Sequence, residues 1–258
     1  MSRARGRGLS LGGVVASCTT LSGLLLLWWW VTHRQWISPV FLPSPGATWE
    51  ALREGLQHGD LEAYTWATVQ RMFLGWGLAS VLGIGLGALL GLSASARAWM
   101  SSTLEFFRPL PASAILPLSI SLFGLSAGMV LAVVAFGSMW PVLLATMQGI
   151  AGVHPRLREV GQSLEFGRAE FAWKVGLPNA LPDILAGLRL ALTVALIVSI
   201  VGEMIASQDG LGQAVLAAAR SFRSAELFAG VVILGVIGFL SNALLASTER
   251  RLLRWQRT

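Results

Sequence analysis

Residues 72–96 decide the fold class, and they read MFLGWGLASVLGIGLGALLGLSASA. The run contains no charged residue. About 20 mostly apolar residues are enough for a helix to cross the hydrocarbon core of a bilayer. The run therefore predicts a membrane-spanning helix, and the same test identifies further spans on either side of it.

Six membrane spans are predicted in all. Residues 9–32 carry no charge; a cleaved signal peptide is the alternative, but the run is too long and no small-residue cleavage site follows it. Residues 109–153 are also uncharged and too long for one helix, so we divide them at the turn from Phe123 to Gly128. The predicted spans are residues 9–32, 72–96, 98–122 with bends at Pro109 and Pro111, 129–150, 184–206 and 227–248.

The composition agrees with a polytopic all-α membrane protein. Of 258 residues, 54% are hydrophobic and 12% are charged, whereas a soluble domain carries about 25% charged residues. The single cysteine, Cys18, excludes a disulfide framework and a cysteine-rich metal site. The three histidines are scattered, so no histidine metal cluster is expected.

The basic residues predict the orientation in the membrane. Six spans put both termini on one side, and a cytoplasmic N-terminus and C-terminus place most basic residues inside, in line with the positive-inside rule. This explains the basic balance better than nucleic-acid binding does. Twelve basic residues then lie inside, namely Arg3, Arg5, Arg7, Arg97, Arg156, Arg158, Arg168, Lys174, Arg250, Arg251, Arg254 and Arg257. Four lie outside, namely Arg34, Arg53, Arg220 and Arg223. We divide the chain into a cytoplasmic tail, residues 1–8, and a single membrane domain, residues 9–258.

The second span carries a ladder of small residues at strict i+4 spacing, Gly75, Ala79, Gly83, Gly87 and Gly91. Small residues repeated on one face form a groove that allows another helix to approach closely. We expect tight helix packing on this face, and a stripe that lines a pore is the alternative.

The chain lacks the motifs of an ATPase. Its only lysine, Lys174, precedes a valine, so there is no Gly-Lys-Ser/Thr phosphate loop. Any ATP and Mg²⁺ must therefore be bound by another polypeptide, and no cofactor is expected in this chain. An intramembrane enzyme and a stand-alone secondary carrier are the rival classes. The first would need convergent ionisable residues within spans, and the second more often shows internal repeats.

The cytoplasmic loop between spans four and five, residues 152–183, is the most informative segment. Residues 159–164 predict a short helix that is broken at Gly167. A second short helix is expected from Arg168 to Leu177-Pro178, with a further turn at residues 179–182. Apolar side chains at Leu164, Phe166, Phe171 and Trp173 exceed what a solvated loop needs and indicate burial against a protein surface; a loop packed only on its own spans is the alternative.

This loop resembles the EAA loop of ABC importer permeases. That pattern has Glu-Ala-Ala, a glycine six residues after the Glu, and Ile-x-Leu-Pro ending nineteen residues after it. Glu159-Val160-Gly161 and Val175-Gly176-Leu177-Pro178 have this spacing. The departure is Glu165, which stands at the glycine position.

Further matches in order along the chain resemble the nitrate, sulfonate, taurine and bicarbonate branch of this family. They are residues 42–45 (LPSP), 177–182 (LPNALP), 187–189 (GLR), 203–205 (EMI), 210–212 (GLG) and 249–255 (ERRLLRW). The resemblance implies a bacterial inner-membrane permease that pairs with a second permease copy, two ATP-binding cassette subunits and an external solute-binding protein. It also implies that the loop couples ATP hydrolysis to transport, through Glu159, Gly161, Leu164, Phe166, Gly167, Leu177 and Pro178.

Three ionisable residues in or near the spans are candidates for the translocation pathway. Arg71 and Arg108 would favour an anion such as a sulfonate or nitrate. The alternative is that each snorkels to an interface or pairs locally, and Glu105, one turn from Arg108, would be such a local partner. Glu203 is either a gate residue or a helix-end partner of Arg220 or Arg223.

Overall fold

The described chain, residues 11–107 and 110–253 of a computed structural model, is built from helices, and no strand occurs within those ranges. The helices are α1 (Leu11–His33), α2 (Pro45–Gln57), α3 (Leu61–Leu92), α4 (Ala94–Phe107), α5 (Leu116–Phe123), α6 (Ala127–Ala151), α7 (Pro155–Ser163), α8 (Arg168–Phe171), α9 (Leu177–Ala206), α10 (Leu211–Arg220) and α11 (Ser224–Leu252). A 3₁₀ turn, Ala112–Ile115, precedes α5. The predicted all-α class is confirmed.

Four helical stretches in the described chain are long and apolar enough to cross a membrane. They are Leu61–Leu92, Ala127–Ala151, Arg168–Ala206 and Ser224–Leu252. Predicted spans two, four, five and six lie largely or wholly within them. The full count of six spans and the side of the membrane on which each terminus lies stay predictions.

The third predicted span is divided into shorter pieces. Helix α4 ends at Phe107 and α5 begins only at Leu116, after the 3₁₀ turn. Arg108 and Pro109 lie outside the described residues. Pro111 has no backbone N–H, and its carbonyl accepts a hydrogen bond from the Ala114 amide (2.8 Å), which is the tighter i to i+3 pattern.

The described chain forms two compact units. One holds residues up to Asp60 together with Val215–Val231, and the other holds Leu61–Ala214 together with the chain from Val232. In the first unit, Ser44 caps α2 by accepting from the Ala47 amide (3.2 Å), and Pro45 occupies the first helical turn. The Trp28 indole donates to the Pro43 carbonyl (3.0 Å) and fixes the approach to α2.

The second unit is organised around α3, α6 and α9, which pack against one another. Its core is a cluster of buried apolar side chains that includes Met72, Met129, Val133, Val134 and Leu192. The Trp76 indole donates to the Leu188 carbonyl (3.0 Å) and ties α3 to α9. The loop between α6 and α9 therefore begins and ends on two of these three packed helices.

All five ladder residues are buried, and the structure places the ladder glycines against α6. A Cβ added at Gly87 would lie 2.6 Å from the Leu143 carbonyl oxygen and 2.7 Å from Thr146 Cβ. A Cβ at Gly83 would lie 2.8 Å from Val142 Cβ and 3.0 Å from the Met139 carbonyl oxygen. The two backbones therefore approach so closely that even a methyl group does not fit.

We predict opposite effects for two glycines on α3. Gly87→Ala should lower the apparent melting temperature and the yield of folded protein in detergent, because overpacking costs about 1–3 kcal/mol. Gly85→Ala is the matched control, because nothing lies within 4 Å of the position that its methyl group would take. It should be neutral or slightly stabilising, because alanine is the better helix former. Equal effects of the two substitutions would contradict the packing of the ladder on α6.

Candidate functional site

The loop between α6 and α9 begins with α7, which is fixed at its first turn. The His154 ring nitrogen Nδ1 accepts from the Arg156 amide (3.3 Å), and Pro155 takes the first helical position. Arg158 donates to the Ala151 carbonyl (2.8 Å) at the end of α6. Helix α7 is therefore held to the end of a spanning helix by a charged cap.

A Schellman motif ends α7, and Glu165 occupies its left-handed position. The Glu165 amide donates to the Gln162 carbonyl (2.9 Å), and the Phe166 amide donates to the Gly161 carbonyl (2.9 Å). This is the paired 5→2 and 6→1 pattern of the motif, which usually places glycine at its C′ residue. Glu165 has φ of +56° there. The departure from the family pattern thus falls where the backbone requires a left-handed residue.

The two loop glycines have different roles. Gly161 is buried, and a Cβ there would lie 2.9 Å from Phe171 Cδ2, so its lack of a side chain lets the Phe171 ring pack directly on α7. Gly167 has φ of −62° and open space around it, and it is the N-cap residue of α8. The prediction that Gly167 breaks the first helix is wrong: α7 ends at Ser163, and Glu165 makes the turn.

The expected end of the second short helix at Leu177-Pro178 is also wrong. A π turn, Ala172–Gly176, joins α8 to α9, and α9 continues through residues 179–182 without the predicted turn. Pro178 cannot donate to the carbonyl four residues earlier, and the wider π turn just before it accommodates this gap. Leu177 packs with the buried cluster of Ile150, Ala180 and Ile184, and Pro178 is exposed.

One face of α7 presents apolar side chains to the outside of the loop. Leu157, Val160 and Leu164 are 45%, 54% and 59% exposed. The sequence prediction includes Leu164 but misses Leu157 and Val160. Their i, i+3, i+7 spacing was the available signal. We call these three residues the α7 apolar face.

The other predicted coupling residues are placed differently. Phe166 is half-buried, and the Lys174 ammonium lies 4.8 Å from its ring centroid. Glu159 is exposed in the middle of α7, so it does not stabilise the helix start. Trp173, on the π turn, is largely exposed.

Glu203, near the end of α9, is fully buried and accepts three hydrogen bonds. The donors are Thr68 Oγ1 (2.9 Å), Arg71 Nη1 (2.8 Å) and the Gly212 amide (2.9 Å). Thr68 Oγ1 in turn accepts from the Leu211 amide (2.9 Å). The buried carboxylate is therefore paired with a cation and hydrogen-bonded, as a charge away from water must be.

The segment after α9 closes around this carboxylate. Arg71 also donates to the Asp209 carbonyl (2.7 Å). A Cβ at Gly210 would lie 2.4 Å from Glu203 Cδ, and one at Gly212 would lie 2.4 Å from the Ile200 carbonyl oxygen. Glycine is thus required at both positions, because a side chain at either one would clash with Glu203 or with the adjoining α9 backbone.

Of the three pathway candidates, Arg71 and Glu203 pair with each other, and Arg108 lies outside the described residues. One of the two alternatives for Glu203, a pair with Arg220 or Arg223, is wrong: Glu203 pairs with Arg71, and Arg223 pairs with Glu226 (2.8 Å). The other alternative, a gate residue, stays a prediction. A separate cavity of about 820 Å³ lies along α6 and α9. Neither Arg71 nor Glu203 is among its lining residues, whereas Trp140, Gln148 and Asp183 are its polar or acidic ones.

Within the described chain, no group of three His, Cys, Asp or Glu side chains could hold a metal ion.

We predict that Glu165→Gly stabilises the turn after α7. A non-glycine residue in the left-handed region costs about 1–2 kcal/mol, and glycine removes this cost. The amides of residues 165 and 166, which donate within the motif, should exchange with deuterium more slowly. Glu165→Ala is the control, since it removes the charge and keeps the Cβ. If these amides are equally protected from exchange in both variants, the effect comes from loss of the charge and not from the backbone conformation.

We also predict that Arg71→Met lowers the apparent melting temperature strongly. Removing one partner of a buried ion pair costs on the order of 3–5 kcal/mol, because the other charge stays buried and unpaired. Adding Glu203→Gln to this variant should recover much of the loss. Glu226→Gln, which breaks the exposed pair with Arg223, should change little. A single variant no worse than this control would show that Arg71 does not stabilise Glu203.

Comparisons with known proteins identify the family of the chain. Residues 79–254 match the family described as "Binding-protein-dependent transport system inner membrane component". The chain is 34% identical over 247 residues to the taurine transport system permease protein TauC of Escherichia coli (strain K12), covering 94% of this chain and 90% of that protein. It is 32% identical over 220 residues to a protein of Bacillus subtilis (strain 168) described as the aliphatic sulfonates transport permease protein SsuC, covering 85% and 80%.

A solved structure shows the same fold. An inward-facing conformation of the MetNI methionine ABC transporter superposes with a TM-score of 0.65 at 18% identity, covering 72% of this chain and 93% of that one. The chain therefore belongs to the family of binding-protein-dependent transport system inner membrane components, the permease subunits of ABC importers.

Proposed function

We propose that this permease imports a small anion such as an aliphatic sulfonate, taurine, nitrate or bicarbonate, driven by a separate ATPase that docks on the α7 apolar face. The single observation that carries the docking is this exposed stripe of Leu157, Val160 and Leu164 on a helix whose ends are both fixed. A monomeric soluble surface rarely leaves such a patch uncovered, and a partner groove is the usual occupant.

The connection from the loop to the membrane supports a mechanical role. Helix α8, the π turn and α9 form one helical stretch, Arg168–Ala206, without a flexible break. At the other end, Arg158 holds α7 to the end of α6. A displacement of α7 is therefore passed to two spanning helices rather than absorbed. ATP binding would favour one arrangement only through contacts that differ between the two states.

The orientation is part of the proposal. The N-terminus, the loop and the C-terminus face the cytoplasm, because this arrangement places about three times as many basic residues inside as outside. ATP and Mg²⁺ belong to the two ATP-binding cassette subunits. A second permease copy, in a homodimer, and an external solute-binding protein complete the importer.

The anion class rests on the relatives, whose names refer to taurine and to aliphatic sulfonates. The charge of Arg71 is already neutralised by Glu203, so Arg71 fixes the end of α9 rather than attracting the solute. Arg108 remains the candidate for anion attraction. The cavity along α6 and α9 supplies the space for a solute, and the Trp140 indole there has no hydrogen-bond partner within the described chain.

The proposal predicts how a cysteine at Leu164 reacts. In a Cys18→Ser background, a membrane-impermeant maleimide should label Leu164→Cys in inverted vesicles and leave it unlabelled in intact cells. Co-expression of the cognate ATPase should protect it, since the α7 apolar face is then covered. Protection should weaken again when the ATPase is stripped from the vesicles.

Gln162→Cys is the matched control on the same helix. It is exposed but lies on a different face, so it should be labelled whether or not the ATPase is present. Labelling of either cysteine from outside intact cells would reject the orientation. Equal labelling of Leu164→Cys with and without the ATPase would place the docking surface elsewhere.

A further inference from the structure

A second, smaller cavity of about 180 Å³ lies beneath α7, on the side away from its apolar face. Its lining residues come from the ends of α3 and α6 and from the loop; they include Leu92, Ile150, Arg158, Phe166, Arg168 and Phe171. The spanning helices α3 and α6 end at Leu92 and Ala151. The cavity is therefore at the level where the hydrocarbon core gives way to lipid headgroups.

The charge of this cavity is positive. Two arginines line it, and none of its lining residues in the described chain is acidic. Arg158 uses one nitrogen to cap α6, and within the described part of the chain the Arg168 guanidinium has no hydrogen-bond or ion-pair partner. The neighbouring acid Glu170 is engaged by Lys174 (2.6 Å). Arg97 donates to the Gly91 carbonyl (2.6 Å) and adds a third cation beside the lining residue Gly91.

From this arrangement we propose that the cavity binds the phosphate of an anionic phospholipid headgroup in the cytoplasmic leaflet. Arginine forks suit phosphate oxygens, and basic pockets between spanning helices on the cytoplasmic side recognise such headgroups. The apolar half of the lining, Leu92, Ile150, Phe166 and Phe171, suits the glycerol and the start of the acyl chains. The exposed side chains Leu86 and Leu89 lead along α3 towards the same end and give those chains a surface to follow.

The lipid and the ATPase do not compete for one face of α7. With about 100° between successive residues, Arg158, Gly161 and Gln162 point on average about 120° away from the α7 apolar face. This proposal rests on the orientation given under the proposed function but not on the ATPase docking, so the lipid site and the docking surface fail independently. A lipid held here fixes the distance between α7 and the ends of α3 and α6.

The test uses the full chain in its importer complex, delipidated in a neutral detergent. Phosphatidylglycerol, phosphatidylcholine with the same acyl chains, and inorganic phosphate are added separately. The readouts are the shift in melting temperature and the number of lipids retained in native mass spectrometry. We expect phosphatidylglycerol alone to raise the melting temperature and to be retained.

Arg168→Gln should abolish both the shift and the retention, while its melting temperature without lipid equals that of the unaltered chain. Arg156→Gln is the matched control, since Arg156 is exposed on α7 and does not line the cavity; it should keep both. Equal losses in the two variants, or equal shifts with both lipids, would overturn the site. The same shift in melting temperature with inorganic phosphate would reject the lipid as the ligand and indicate a soluble anion instead.

Discussion

The close approach of α3 to α6 is the constraint on which the second unit depends. At Gly83, Gly87 and Gly91 the α6 backbone or its Cβ atoms lie where a side chain would begin. In a membrane, apolar side chains gain little by leaving lipid, so close van der Waals packing of small residues supplies much of the association. Helix α6 is positioned by this contact, and α9 packs against it through Gly187 and Gly202. The loop begins where α6 ends, so its position follows from the same contact.

Sequence patterns predicted the parts that depend on periodicity and composition. The small-residue stripe and the apolar runs each rest on a local rule that the tertiary structure does not override. The loop helices were harder because their ends depend on hydrogen bonds. Pro178 and Pro182 predicted turns, yet a π turn and the first turns of α9 tolerate both prolines. Single-sequence reasoning has no signal for a π turn, since it arises from packing around one missing donor.

The backbone conformation at Glu165 gives a physical reason for the glycine in the family pattern. The pattern requires glycine six residues after Glu159, and that position is the C′ residue of the helix. The sequence alone placed the turn at Gly167, because glycine is the usual marker of a turn. The structure keeps the left-handed turn at the family position with a less suitable residue in it. The turn is therefore fixed by its two hydrogen bonds and by the packing of Phe171 on Gly161, and not by the conformational preference of the residue.

The pairing of Glu203 with Arg71 could not be read from the sequence, because 132 positions separate the two residues. Charge alone offered several arginines as partners, and only the antiparallel packing of α3 and α9 selects among them. A fully buried carboxylate can accept hydrogen bonds only from the protein groups that surround it. Here these are Thr68 and Arg71 on α3 and the Gly212 amide after α9. Any rearrangement that separates α3 from the end of α9 would leave this buried charge without its partners, so the contact between the two helices is costly to break.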